Sequence, residues 1–199
     1  MEKKLILASG SEIRRQLMEN AGIPVRIIKP RIDEEMVKAS LLAENAPPRD
    51  IADTLAEMKA LKISEKNPDS LVIGCDQVLD LGGQLLSKPA SVEEARSQLQ
   101  QMRGERHMLL SAAVICEGGK PIWRHIGQVR LRMRAFSDDF LDGYLDRNWP
   151  EISHCVGGYQ LEGEGVRLFS RVDGDYFTVL GLPLMEMLNY LTLRGDLQQ

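Results

Sequence analysis

The sequence predicts an α/β protein built on a mixed β-sheet that is flanked by helices and divided into two lobes around a cleft. Short apolar runs alternate with helical patterns in the first half of the chain, which is typical of β-α-β units. The second half opens with long strand patterns that meet at glycine pairs, as in antiparallel sheets. With 199 residues, of which 43% are apolar, the chain can bury a substantial core, and we predict a single domain over residues 1–199.

Each element of the first half has its own signal. Buried strands are predicted at the apolar runs Leu5–Ala8, Val25–Ile28 and Leu71–Asp76. Apolar residues recur at helical spacing in three further segments, which begin near Glu12, at Pro48 and after Ser91 and end near Gly22, Ser64 and Met102. Proline suits a first helical turn because it lacks an N–H group, and Ser91 with Glu94 three residues later forms a capping box.

The second half reads as antiparallel strands followed by helices. A strand over Met108–Cys116 turns at Gly118–Gly119 into a strand over Gly127–Phe136, whose alternation places Arg130, Arg132 and Arg134 on one face. That arginine row is most simply the solvent-exposed face of the sheet. The remaining predictions are a helix capped at Ser137 and ending near Asn148, a glycine-rich stretch over 157–165, a strand over Val166–Val172, and a closing helix from Pro183 to just before Gly195.

Composition excludes several classes of protein. The chain carries 25 Lys and Arg against 29 Asp and Glu, a net charge of −4, which argues against nonspecific binding to duplex DNA but not against a small anion in a local basic pocket. The three cysteines form no CxxC pair, so free thiols in a reducing compartment are expected. No run approaches the ~20 apolar residues of a membrane helix, and we predict a cytoplasmic protein.

The common nucleotide motifs are absent, and five short elements remain. No P-loop, GxGxxG, HExxH or GxSxG sequence occurs. The segment Ser9–Arg15, at a strand-to-helix junction, forms either a phosphate cradle or an ordinary capped helix. Asp76, at the end of its predicted strand, either holds Mg²⁺ and activates water or ends the strand in a turn. Lys88, before a stiffening proline, either contacts an anion or is an exposed loop lysine. The other two are Asp33-Glu34-Glu35, which is either a metal-binding carboxylate pair or a solvated charge cluster, and Lys59, which a helix could also carry without a function.

Taken in order, a set of short motifs covers nearly the whole chain. The motifs are LILASxSxxRR over 5–15, Asp33-Glu34, AxxKA over 56–60, VIGxDQV over 72–78, Lys88-Pro89, Gly104 with His107, Gly158-Tyr159, and Gly174-Asp175-Tyr176 through Gly181-Leu182-Pro183-Leu184. Each is weak alone, but the ordered set resembles the Maf family of nucleoside triphosphate pyrophosphatases. The resemblance implies the inosine-triphosphatase-like fold, a mixed elongated sheet with a nucleotide cleft between its two lobes. It also implies a homodimer. From the net charge and the short apolar runs we expect neither a nucleic-acid nor a membrane partner.

The resemblance also implies a reaction and a set of site residues. A nucleoside triphosphate would be hydrolysed to the monophosphate and pyrophosphate with Mg²⁺ or Mn²⁺, and Asp76 and Glu34 would hold the metal. Asp76 would also activate water. The residues expected to neutralise the triphosphate are Ser9, Arg14, Arg15, Lys59 and Lys88. A nucleotide-binding regulator of cell division or growth with little catalysis is the alternative, which the acid and lysine set makes less favourable.

Three positions bear on the base. At Gln77 and Glu162 the sequence resembles the subgroup that hydrolyses 7-methyl-GTP. The chemistry is consistent with this, because a carboxylate can accept from guanine N1–H and the N2 amine, and methylation at N7 makes the base cationic. Ile13 stands where that subgroup has Trp, so a cation–π contact worth about 0.5–2 kcal/mol would be missing. We therefore expect the same reaction with broader selectivity for the base.

Overall fold

Seven strands form one mixed sheet in the computed structural model, which describes residues 4–197. The strands are β1 (Lys4–Ala8), β2 (Val25–Ile27), β3 (Ser70–Leu81), β4 (Gln84–Leu86), β5 (Arg106–Glu117), β6 (Lys120–Met133) and β7 (Phe169–Asp173). Their order is β2-β1-β3-β5-β6-β7, and β4 pairs with β3 beside this path. β1 runs parallel to both β2 and β3, and the other pairs are antiparallel. The predicted mixed α/β sheet is confirmed.

Helices cover both faces of this sheet. They are α1 (Glu12–Asn20), α2 (Glu34–Ala43), α3 (Pro48–Ser64), α4 (Val92–Met102), α5 (Asp138–Asn148), the short α6 (Tyr176–Val179) and α7 (Leu184–Arg194). Two 3₁₀ helices span Glu151–His154 and Glu164–Leu168. The predicted caps are confirmed, because the Ser91 and Ser137 hydroxyls accept from the N–H groups of Glu94 and Phe140, each at 3.2 Å.

The core consists of three apolar clusters. On one face of the sheet α3 packs against β3 and β5, with Ile51, Leu55 and Ala56 among its buried residues. On the other face α1 and α7 cover one part of the sheet, while α4 and α5 cover the part built by β5, β6 and β7. The second face is thus divided into two halves, and β3 and β5 both run through the two halves. Several of the predicted site residues lie on or next to β3.

Several elements differ from the sequence predictions. β3 does not end near Asp76 but continues to Leu81, because β5 pairs with it along ten consecutive positions. The segment predicted as a strand over Val166–Val172 begins as a 3₁₀ helix and becomes a strand only at Phe169. β6 spans Lys120–Met133 rather than Gly127–Phe136, because it pairs with β5 from Lys120 onward, and Arg134 lies beyond its end. Strand β4 and helices α2 and α6 were not predicted; they are short or have few buried residues.

The three cysteines form no disulfide among the described residues. Cys75 and Cys116 are buried, Cys155 is half-buried, and all three are free thiols. Within residues 4–197 no helix has the length and apolarity to cross a membrane. The predicted domain of residues 1–199 extends beyond this range at both ends, and residues 1–3 and 198–199 lie outside the part described.

Candidate active site

The site begins with a gap along one edge of β3. β1 accompanies β3 only as far as Ala8, opposite Gly74, and β4 joins the same edge only at Leu86, opposite Leu79. In the described structure no strand pairs with this edge over residues 75–78. Because the chain leaves β1 at Ser9 and leaves β4 at Ser87, two loops converge on the gap from opposite directions.

A buried ion pair lies at the gap, on the face that α3 covers. Asp76 pairs across the sheet with Ala112, which belongs to the cluster under α3. The Lys59 ammonium group, from α3, donates to Asp76 Oδ1 at 2.7 Å and lies 2.9 Å from Glu34 Oε2 of α2. Lys59 and Asp76 are only 6% and 7% exposed, whereas the Glu34 side chain is half-exposed. Three residues predicted for catalysis are therefore in direct contact.

The close approach of α3 to β3 depends on one glycine. A Cβ atom at Gly74 would lie 2.1 Å from the carbonyl oxygen of Ala56 and 2.7 Å from the amide nitrogen of Ala60. No side chain fits in that space, so only glycine lets the helix lie directly on the strand at this point. Lys59 sits between these two alanines, and the short separation brings its ammonium group to Asp76.

Burial and charge act in opposite directions on the carboxyl group of Asp76. Burial raises the pKa of Asp76, while the positive charges of Lys59 and Arg14 lower it and the carboxylate of Glu34 raises it further. The hydrogen bond from Lys59 stabilises the ionised form. Among the described residues only Oδ1 of Asp76 receives a hydrogen bond, so Oδ2 is left for a ligand.

Arg14 fixes one wall of the gap. Its Nε donates to the carbonyl oxygen of Gly181 at 2.7 Å, and its Nη1 donates to the carbonyl oxygen of Cys75 at 3.1 Å and to the hydroxyl of Ser9 at 3.4 Å. The Ser9 hydroxyl also accepts from the N–H of Ser11 at 3.2 Å. The guanidinium group is therefore held in one orientation, and Nη2 has no protein acceptor in residues 4–197. This arrangement supports the predicted anion cradle.

Two other residues predicted in this segment point elsewhere. Arg15 donates from Nε to Glu12 Oε2 at 2.9 Å and also pairs with Glu19, so its partners are all on its own helix. The Arg15 guanidinium group lowers the pKa of Glu12 to about 2. Ile13 packs at the edge of the apolar cluster under α1 and α7. The described structure brings neither side chain into contact with Asp76, and their predicted roles in substrate binding stay predictions.

Gln77 follows Asp76 and therefore points to the opposite face of the sheet. Its amide Nε2 donates to the Ser111 hydroxyl at 2.9 Å and to the carbonyl oxygens of Val179 and Thr178 at 2.9 and 3.2 Å. Ser111 itself donates to Thr178 O at 2.7 Å. Both amide hydrogens are thus used within the protein, and Oε1 is the group that Gln77 can offer to a ligand.

Lys88 and Glu162 both lie close enough to Cys155 for their charges to act on its thiol. Both are exposed, and the charges of both act on the half-buried thiol: Glu162 raises the pKa of Cys155 and Lys88 lowers it, although burial has the largest effect and raises it. The loop that carries Glu162 is held in place by α5, because Tyr144 donates to Gly158 O at 3.3 Å.

One residue that the sequence analysis missed connects the two sides of the gap. Lys38, on α2, donates to the hydroxyl of Ser87 at 2.6 Å, so α2 reaches from Lys59 to the segment that follows β4. Glu34 and Lys38 are four residues apart and share one face of the helix. That spacing would have been the signal, had α2 been recognised as a helix. Gly181, whose carbonyl holds Arg14, lies within the motif Gly181–Leu184 noted above.

The donor set fits a hard divalent cation. The carboxylates of Asp76 and Glu34 both lie within 3 Å of one Lys59 nitrogen, so they point to a common region, and Asp76 Oδ2 is available. Mg²⁺ is often bound by only one or two carboxylates together with water and substrate phosphates. Among the described residues no cluster of three or more His, Cys, Asp or Glu side chains forms a complete metal cage. The site therefore suits a metal that arrives with a phosphate ligand.

Comparisons with known proteins give consistent matches over nearly the whole chain. A family model described as Maf-like protein matches residues 4–193. A protein of Ruegeria pomeroyi named nucleoside triphosphate pyrophosphatase is 68% identical over 98% of each chain, and one of Roseobacter denitrificans with the same name is 66% identical over 99% of each. A Brucella suis protein named 7-methyl-GTP pyrophosphatase is 46% identical over 94% of each chain.

Proposed function

The chain belongs to the Maf family, and from this membership we propose that it hydrolyses nucleoside triphosphates to the monophosphate and pyrophosphate, with guanine nucleotides methylated at N7 as preferred substrates. The observation that carries the proposal is the buried Lys59–Asp76 pair in the β3 gap, between the Arg14 segment and the Lys88 segment. Relatives of higher identity support the pyrophosphatase activity, and the more distant Brucella relative supports the methylated base.

The residues around the gap divide the work of binding. The triphosphate lies against the Ser9–Arg14 segment. The free Nη2 of Arg14 and the open N–H groups of the first turn of α1 donate hydrogen bonds to its oxygens. Lys88 contributes a cation from the opposite side of the gap. Together these groups stabilise the charge that builds up on the departing pyrophosphate.

Asp76 is the group that acts on water. Its Oδ2 accepts a hydrogen bond from the attacking water molecule and orients that water toward the α-phosphorus, while Lys59 keeps Oδ1 fixed and the carboxylate ionised. Asp76 and Glu34 would also hold Mg²⁺ or Mn²⁺, which supplies charge to polarise the phosphate oxygens when bound. Burial of Lys59 and Asp76 strengthens these interactions because water screens them little.

Base selection is assigned to the other side of the gap. The Glu162 carboxylate accepts from guanine N1–H and the N2 amine and faces a base made cationic by methylation. Gln77 contributes an acceptor, Oε1, because its donors are engaged with Ser111 and the backbone. Two acceptors favour a base that presents donors, and this favours guanine over uracil or thymine.

The test is pyrophosphate release with Mg²⁺ from 7-methyl-GTP, GTP, dTTP, UTP and CTP. Asp76→Asn should lower kcat by about 10²–10⁴-fold while nucleotide binding persists, because the water loses its acceptor. Glu162→Gln should lower kcat/KM for 7-methyl-GTP by about tenfold and leave the pyrimidine nucleotides unaffected. The matched control is Asp69→Asn, an exposed acid-to-amide change in a turn.

Two results would contradict the proposal. Wild-type turnover in Asp76→Asn would remove Asp76 from the reaction, and fast release from dTTP or UTP would refute the guanine assignment. Because Asp76→Asn leaves the buried Lys59 with only the half-exposed Glu34 as a partner, the double variant Lys59→Met/Asp76→Asn repeats the test with both buried charges removed. Tight binding of a nucleotide by wild-type protein without pyrophosphate release would favour the regulator instead.

A further inference from the structure

Five exposed arginines gather at one end of the sheet, far along the strands from the gap. Arg106 of β5 lies directly opposite Arg132 of β6, and Arg132 lies directly opposite Arg171 of β7, so three guanidinium groups stand in one row across three strands. Arg130 occupies the same face two residues before Arg132, and Arg134 follows the end of β6. We call these five residues the arginine patch.

The patch contains one acid, Asp173 of β7, which lies directly opposite Arg130 and leaves most of the positive charge unpaired. Like charges directly opposite each other on neighbouring strands destabilise a sheet, so a row of three arginines works against the fold. Arg171 pairs with Asp173 at 2.8 Å, but the other four arginines of the patch form no ion pair within residues 4–197. Elsewhere in the chain, seven of the eleven arginines pair with a carboxylate, namely Arg15, Arg96, Arg103, Arg124, Arg147, Arg167 and Arg194.

The face also lacks the features of a protein interface. Interfaces between proteins are usually centred on apolar and aromatic side chains. In the two rows of residues that form the patch, the one apolar side chain is Met108, opposite Arg130, and it is half-buried. A surface of arginines without an apolar centre is complementary to a ligand that offers many negative charges and little apolar area.

We propose that the arginine patch binds the phosphate backbone of a single-stranded nucleic acid. Arginine binds a phosphate through two parallel N–H donors, and the patch contains no lysine, which would act only as a point charge. Neighbouring strands are about 4.8 Å apart and alternate residues about 6.8 Å apart, so the guanidinium groups form a short array on the scale of successive phosphates. A flexible single strand can follow such a small array, whereas a stiff duplex cannot bend over so few residues.

This proposal departs from the expectation drawn from net charge. A total of −4 describes the whole chain, but binding of a polyanion depends on where the positive charges lie. None of the five arginines contacts the Lys59–Asp76 pair or the Arg14 segment, so the proposal is independent of the proposed function and predicts no change in nucleotide hydrolysis when the patch is altered.

The experiment measures binding of a fluorescein-labelled 20-residue oligouridine by fluorescence anisotropy over a series of salt concentrations. With four to five phosphate contacts, log K for wild-type protein should fall against log salt with a slope of about −3. In Arg106→Gln/Arg130→Gln/Arg132→Gln the slope should weaken by about 2 units, and the Kd at low salt should rise by at least about tenfold. The control Arg26→Gln/Lys66→Gln/Lys120→Gln removes the same charge from exposed positions off the patch and should bind like wild type.

Three outcomes would overturn the proposal. They are no binding at low salt, equal binding by the patch variant and wild type, and preferential binding of an oligoglutamate of the same length, which would assign the face to an acidic protein segment. Pyrophosphate release and the thermal midpoint of each variant verify that the protein is folded. If the triple variant does not fold, the single variants Arg106→Gln and Arg130→Gln test the same slope in steps of about 0.7.

Discussion

The side-chain amide of Gln77 has one orientation available to it. Its nitrogen faces two backbone carbonyls and a hydroxyl that already donates to Thr178, so every neighbour on that side is an acceptor. Reversing the amide would set its oxygen against those acceptors and leave them without a donor. From the sequence alone, Gln77 could be a donor or an acceptor. In the structure its donors are used within the protein, so it can offer a ligand only the acceptor Oε1.

We expect Gln77→Glu to destabilise the protein by roughly 2–4 kcal/mol, because a carboxylate would face those carbonyls without a donor between them. The free energy of unfolding from urea titration is the measurement. Gln101→Glu makes the same change on the exposed surface of α4 and should be close to neutral. An unchanged free energy of unfolding in Gln77→Glu would mean that the amide does not make these bonds.

Neighbouring arginines show the limit of sequence analysis at this scale. Arg14 and Arg15 both match the phosphate-binding motif, yet consecutive residues on a helix point about 100° apart, so one helix cannot aim both at the same ligand. The structure brings Arg14 to the gap and pairs Arg15 with Glu12 and Glu19. Which of the two faces the gap depends on how α1 is rotated about its axis, and packing of the whole cluster under α1 fixes that.

Among the elements, the contact between α3 and β3 controls the geometry of the candidate site. Gly74 is the point of closest approach, and the backbone of Ala56 and Ala60 occupies the space that a side chain would need. Any increase in the separation of helix and strand also moves Lys59 away from Asp76, since these two residues belong to the same two elements. Packing and catalysis are thus coupled through one glycine.

Gly74→Ala should lower the free energy of unfolding by about 1–3 kcal/mol through overpacking and should lower kcat as well, because the added methyl group pushes α3 away from β3. Gly143→Ala on α5 is the control, since its methyl group meets the mobile end of Arg147 and helical glycine-to-alanine changes are mildly stabilising. Chemical denaturation and pyrophosphate release are the two measurements. Full activity in Gly74→Ala would contradict the coupling.

Helix α2 carries an apolar pair at helical spacing that the sequence analysis did not use. Val37 and Leu41, four residues apart, pack half-buried against the cluster under α3, although none of the ten residues is fully buried. A second local signal is Asp33, whose carboxylate accepts from the N–H of Met36 at 3.0 Å and caps the helix. The same cap places Glu34 on the first turn, where it contacts Lys59.

At the scale of the whole molecule, the gap in the sheet was beyond sequence analysis. The residues of the motifs could be identified one by one, but the gap exists because β1 and β4 share one edge of β3 and neither spans it. Strand pairing of this kind joins segments far apart in sequence, and local patterns do not encode it. The sequence therefore predicted several of the site's residues, among them Asp76 and Lys59, but not the shape that holds them together.

A buried imidazole makes the stability of the whole molecule depend on pH. His107 is 2% exposed and bonds through Nε2 to the Tyr159 hydroxyl at 2.8 Å, while Nδ1 has no partner among the described residues. Burial lowers the pKa of His107 from 6.5 to about 4, because the charged ring would be poorly solvated there. The folded protein therefore keeps this residue neutral at a pH where the unfolded chain protonates it.

We expect this group's contribution to the free energy of unfolding to be lost as the pH falls from about 6.5 to about 4, by about 3 kcal/mol in total, and to be constant above pH 7. Protons bind the unfolded chain in that window and not the folded one, so acid favours unfolding. Urea titrations at a series of pH values measure the slope. His107→Asn should flatten it, and an unchanged slope in His107→Asn would refute the assignment.

The bond between Arg14 and the carbonyl of Gly181 joins residues 167 positions apart in the chain. On a ribosome that adds 5–20 residues per second, Arg14 is made roughly 10–30 seconds before its acceptor. During that interval α1 and β1 can form and find β3, but the guanidinium group has no Gly181 to hold it. The wall of the gap that Arg14 forms is therefore fixed only after Gly181 has been made, long after the β1–α1 segment that carries Arg14.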